Sequence, residues 1–243
     1  MFPLKDDNPT QNTPFATITI ILLCISVFLY QLSLDNIDNN NFILEFGMKP
    51  ASLFAKGLPE NNIFFAGFTI FSSMFMHGSF FHLAGNMLFL WIYGNNIEDS
   101  MGTVKFIFFY AFCGLAAAFL QAFITPDSDI PMIGASGAVS GVLSAYFLLF
   151  PRARVSTLVI LFFFITIIKI PAGILIAIWF FTQLFNAYQT NPYSPGVAWY
   201  AHIGGFVMGF LLIPFFKRDS YKFFSTGTKK KYKRKSIRLR FRK

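Results

Sequence analysis

Of 243 residues, 55% are apolar, 35 are Phe and only 13% are charged, a balance too rich in hydrocarbon for a soluble domain of this length and one that points to a polytopic membrane protein. The formal charge of +9 is uneven, because 13 of the 20 Lys and Arg residues lie between Lys217 and Lys243. A basic tail directly after a final apolar run, with no folded recognition module, argues for cytosolic retention and contact with anionic headgroups and against nucleic acid as a partner.

Residues 1–14 carry Lys5, Asp6 and Asp7 among Asn, Gln, Thr and Pro. They lack the basic start and small-residue cleavage site of a signal peptide, so the first apolar run is expected to be retained as a helix. Apolar runs read against breakers predict helices near 15–33, 78–96, 104–124, 134–150, 171–188 and 199–216, an all-α bundle of six transmembrane helices in a single domain over 15–216. Val155 to Ile170 is interrupted by Lys169 and Pro171. It is expected to lie in or near the inner interface, with the next span starting at Pro171 as a first-turn proline. Cys24 and Cys113 both fall inside predicted spans and read as apolar fillers.

Charge placement orients the bundle. Lys5, Lys105, Arg152, Arg154, Lys169 and the tail fall on one face, and Lys49 and Lys56 on the other. The positive-inside rule then puts both termini in the cytoplasm (N-in/C-in), with 1–14 and 217–243 as cytoplasmic segments. Ser136 begins the fourth span, His202 begins the sixth, and His82 lies about one turn into the second, all on helices running inward from the outer face. At about 1.5 Å rise per residue they share one shallow depth.

Polar groups at that depth are costly unless they meet. A serine hydroxyl needs a base to become a nucleophile, and imidazole titrates near neutral pH. Ser136 and His202 therefore form the candidate catalytic pair. Gly134, Ala135 and Gly137 leave room for a substrate backbone and main-chain N–H groups near the helix start, while His82 and Asn86, four apart, present paired donors for an oxyanion. No carboxylate lies in a span at outer-face depth, so the expectation is a Ser–His dyad. His77, five residues from His82, is expected to be structural at the helix entrance.

Three other readings use the same residues. Gly137 with Gly141, and Gly205 with Gly209, are small-xxx-small patterns that can serve helix packing alone. Zinc could draw on His77, His82 and His202, but acidic ligands, His-Glu-x-x-His and clustered cysteines are all missing, so no metal and no cofactor is expected. A transporter would call for repeated halves with broken helices, which this chain lacks.

In combination, Gly134-Ala-Ser-Gly137, Ala201-His202-Ile-Gly-Gly205 and His82-Leu-Ala-Gly-Asn86 resemble the rhomboid intramembrane serine proteases of bacterial type, over roughly Phe15 to Phe216. The resemblance implies Ser136 as nucleophile, His202 as general base, and His82 and Asn86 in the oxyanion hole together with Ser136. It further implies close packing at Gly205 and Gly209 and a structural role for Glu98 and Gly102. Transmembrane proteins would be the substrates, cleaved near the outer face of a bacterial inner or plasma membrane, with lateral access between the second and fifth helices. A silent relative that only binds client helices is the alternative. Two positions depart from the pattern: Phe68-Thr69 stand where many members carry Trp-Arg, and Ser140 stands where some place a tyrosine on the catalytic histidine.

Overall fold

The computed structural model describes residues 2–54, 63–161 and 164–225. Strand β1 (Phe2–Asp6) precedes helix α1 (Phe15–Ser33), which is followed by α2 (Asn36–Phe46), α3 (Pro50–Leu53) and α4 (Ile63–Ser72). After a 3-10 turn comes α5 (Phe80–Phe89), which runs through a π-helical turn at Leu90–Gly94 into α6 (Asn95–Met101). Then follow α7 (Thr103–Ile124), α8 (Ser136–Leu149), strands β2 (Arg154–Leu161) and β3 (Phe164–Pro171), α9 (Ala172–Gln189) and α10 (Trp199–Phe216).

Among the described residues, α1, α7 and α10 are long and apolar enough to cross a bilayer, and a fourth span is reached if the bent pair Phe64–Phe75 and Phe80–Met101, turned by 84°, counts as one. The protein is thus a mostly helical membrane protein. Helix α8 has only 14 residues but is buried along nearly its whole length, as a central helix wrapped by others can be.

Local chemistry sets the boundaries. Ser79 caps α5, its Oγ accepting from the His82 backbone N–H at 3.2 Å, which starts that helix at Phe80 rather than near residue 78. Glu98 closes the start of α1 from a distance: its carboxylate accepts from the backbone N–H groups of Ala16 and Thr17 and the hydroxyls of Thr17 and Thr103, all at 2.8–2.9 Å. A carboxylate on unpaired N–H groups at a helix start is favourable both as a hydrogen-bond acceptor and toward the helix dipole. Gly102 joins α6 to α7 at φ +89°, a left-handed conformation that glycine adopts without strain.

Two expectations need correction. Residues 155–170, expected near the inner interface of an all-α bundle, form an antiparallel hairpin, paired from Arg154↔Pro171 to Leu161↔Phe164. Burial alternates along β2, with Val155, Thr157 and Val159 buried and their neighbours more exposed. That is the period of a strand with one covered face, and the β-branched residues fit it. Pro171 closes β3 and stands one residue before α9, so it is not in the helix's first turn. Within 1–14, β1 extends the sheet to the order β1-β2-β3, with Phe2 opposite Leu158 and Asp6 opposite Val155.

The two described ends of the chain meet at Asp99. Its carboxylate accepts from Gln11 N–H, from Asn12 N–H and side-chain amide, and from the Tyr221 hydroxyl, while Arg218 N–H donates to the Ser100 carbonyl. Of the basic tail, 226–243 lie outside the described residues. Near the same end Asp6 accepts from the Tyr146 hydroxyl at 2.6 Å and from Asn96 at 3.0 Å. Burial pushes the Asp6 carboxyl up to about 6, against the lowering effect of the Tyr146 hydrogen bond. An acid whose folded value is raised favours the fold below its unfolded value near 3.8 and loses that advantage as pH rises through 6. The melting temperature in detergent is therefore expected to fall between pH 4 and pH 7 in wild type by more than in Asp6→Asn; parallel pH curves for the two proteins would remove Asp6 as the cause.

Candidate active site

The deciding packing is α8 against α10. A Cβ at Gly205 would overlap the Gly137 carbonyl, and one at Gly209 would overlap the backbone of Gly141. Only glycine permits this approach, which brings the starts of the two helices side by side. The Gly137, Gly205 and Gly209 expectations thus correspond to main-chain contacts. Gly134 has φ +121°, and its N–H donates to the Ser73 carbonyl at 2.9 Å. This fixes the loop before α8 and explains why the helix begins at Ser136 and not at residue 134.

Ser136, the first residue of α8, places Oγ 2.8 Å from Nε2 of His202 in the first turn of α10. The other ring nitrogen, Nδ1, lies 2.8 Å from Oε1 of Gln183 on α9. His202 is buried, and its ring is flanked by Trp179 at 5.9 Å between ring centroids and by Trp199 edge-on at 6.0 Å. Ser140, which stands in place of the family's tyrosine, donates to the Ser136 carbonyl at 2.6 Å. The packing on His202 comes instead from the two tryptophans. Phe68 and Thr69, the other departure, lie within α4, with the Thr69 hydroxyl on the Ala66 carbonyl.

His82 sits across Gly134, whose missing side chain makes room for the ring: a Cβ there would lie 2.7 Å from the His82 Cε1 and Nε2 atoms. Asn86, one turn along α5, donates from Nδ2 to the His82 carbonyl at 3.1 Å. Ser136, His202, His82 and Asn86 all line a cavity of about 740 Å³, together with Gln183 and Trp179. The first turn of α8 adds N–H groups without intrahelical partners. His77 is apart from this wall. It is 1% exposed, its backbone N–H donates to Gln31, its ring stands edge-on to His82 at 5.0 Å, and its ring nitrogens have no hydrogen-bond partner among the described residues.

Residues 66–219 match the Rhomboid domain. The chain belongs to the rhomboid family. Rhomboid protein 1, mitochondrial, of Saccharomyces cerevisiae is 31% identical over 147 residues, covering 59% of this chain and 40% of the yeast protein. Rhomboid protease GluP of Bacillus subtilis is 28% identical over 131 residues, covering 54% of this chain and 24% of that protein. Presenilin-associated rhomboid-like protein, mitochondrial, of Homo sapiens is 33% identical over 86 residues, 35% of this chain and 23% of that protein. This rhomboid spans less than half the length of each of these relatives, and they come from mitochondria as well as from a bacterium.

Two residues that line this rhomboid's cavity, Gln183 and Trp179, carry no motif and do not stand out in the sequence. Gln183 leaves a signal nonetheless: an amide buried within the apolar helix α9 needs a partner.

Proposed function

We propose that this rhomboid is an intramembrane serine endopeptidase that cleaves transmembrane proteins near the outer membrane face with Ser136 and His202. The observation that carries the reading is the 2.8 Å contact from Ser136 Oγ to His202 Nε2 in a cavity lined by further donors. In the forward step Ser136 Oγ attacks the scissile carbonyl as its proton passes to Nε2; the carbonyl π electrons move to oxygen, and the imidazolium then protonates the leaving amine. Water, deprotonated by the same nitrogen, releases the acyl group. The developing oxyanion has the N–H groups at the start of α8 and the side chains of Asn86 and His82 within the same cavity. In this reading the chain crosses the membrane of a bacterium six times with both termini in the cytoplasm, and the basic tail meets anionic headgroups.

A substrate helix has its carbonyls engaged in hydrogen bonds, so it must unwind locally to reach Ser136. Labelling by a fluorophosphonate tests the chemistry without a known substrate. Wild type should be modified at Ser136 and Ser136→Ala should not; folded wild type that stays unlabelled would favour a binder of client helices. Asn86→Ala should slow labelling and cleavage by about 100-fold through loss of one oxyanion donor, with unchanged rates removing Asn86 from that role.

A further inference from the structure

We propose that Gln183 is the third member of the site, a positioning residue that holds His202 in the tautomer the reaction needs. The inference rests on the reading of Ser136 and His202 as nucleophile and base. Gln183 is 4% exposed, and both functional atoms of its amide are committed. Nε2 donates to the Trp179 carbonyl at 2.8 Å and to Thr182 Oγ1 at 3.0 Å, while Thr182 Oγ1 itself donates to the Trp179 carbonyl at 2.6 Å. With the NH₂ group occupied by acceptors, the carbonyl oxygen faces His202.

That oxygen can only accept. The His202 proton must therefore sit on Nδ1, which leaves the Nε2 lone pair directed at the Ser136 hydroxyl. The work is the one a buried carboxylate does in other serine hydrolases, done by a neutral group. Inside a bilayer this avoids burying a charge, and it still fixes the orientation of the ring. Packing holds α9 in the register this contact requires. Phe180, three residues before Gln183, stacks on Phe206, four residues after His202 on α10, at 4.0 Å and 17°. One packed seam thus sets both the aromatic stack and the amide–imidazole bond.

The experiment compares wild type, Gln183→Met and Gln183→Glu in the full chain, purified in detergent and reconstituted, with Ser136→Ala as the blank. The rate of fluorophosphonate labelling is read beside kcat and KM for a transmembrane substrate. Gln183→Met, similar in volume but without the acceptor, should lose about 10- to 100-fold in labelling rate and kcat at little change in KM. Gln183→Glu, which restores an acceptor, should recover most of that loss. A packing role predicts the reverse order, because an apolar Met is easier to bury than an acid. Gln183→Met at the wild-type rate, or Gln183→Glu slower than Gln183→Met, overturns the proposal. If Gln183→Met fails to melt cooperatively, Thr182→Val takes its place: loss of one anchor of the amide should slow labelling about threefold or more, and an unchanged rate overturns the proposal. Folded wild type without labelling would instead sink the Ser136–His202 reading, so the two failures are distinct.

Discussion

Ser136→Ala and His202→Ala are each expected to lower cleavage of a reconstituted transmembrane substrate by about 10⁴-fold or more, equivalent to roughly 5 kcal/mol of transition-state stabilisation. The first removes the attacking oxygen. The second leaves that oxygen with nowhere to send its proton, since Nε2 of His202 is its 2.8 Å partner and, among the described residues, neither Ser136 nor His202 is hydrogen-bonded to a carboxylate. Because the two act as a unit, the double variant should be little slower than either single one. Equal product from wild type and both variants would end the assignment of a serine protease, whatever the fold.

Gly205→Ala carries the next largest effect, and it acts on fold and rate together. The added methyl would meet the Gly137 carbonyl, a backbone group that no rotamer change can move aside, so the helices must separate. Overpacking of this kind costs about 1–3 kcal/mol. The rate should fall further, because Gly137 adjoins Ser136 and Gly205 lies one turn from His202. A displacement of about 1 Å between reacting groups costs about 10²-fold. Gly67→Ala in α4 is the control, since nothing lies within 4 Å of its new methyl and helix propensity alone would favour it slightly. Thermal melting and labelling rate, measured on the three proteins, check this: a Gly205→Ala protein as stable and as fast as Gly67→Ala would contradict the backbone contact of α8 with α10.

The helical frame can be read from the chain because apolar runs of membrane length are broken by residues with clear physical meaning. Boundaries shift where a local hydrogen bond decides: Ser79 capping α5, and Gly134 held at positive φ before α8. The hairpin at 154–171 escapes a sequence reading because an apolar run rich in Val and Ile suits a membrane interface as well as a strand. Its alternation becomes decisive only once one face is seen to meet the helical core, which Val155 joins. The Ser136 and His202 pairing is legible because small residues accompany both. Gln183 is not, since its partner is nineteen residues away and no motif joins them. The helices within 34–76 are hidden too; Asp35 caps α2 through the N–H groups of Ile37 and Asp38, a start signal set in a stretch that reads as a connection.

The contact of α8 with α10 has a mechanical consequence. Two main chains pressed together at Gly137–Gly205 and Gly141–Gly209 hold no side chains that could swing out, so the hinge axis of the molecule cannot lie there. Any widening of the cavity at Ser136 would have to come from the outlying staves that line it, α4, α5 and α9, beside a spine that stays shut.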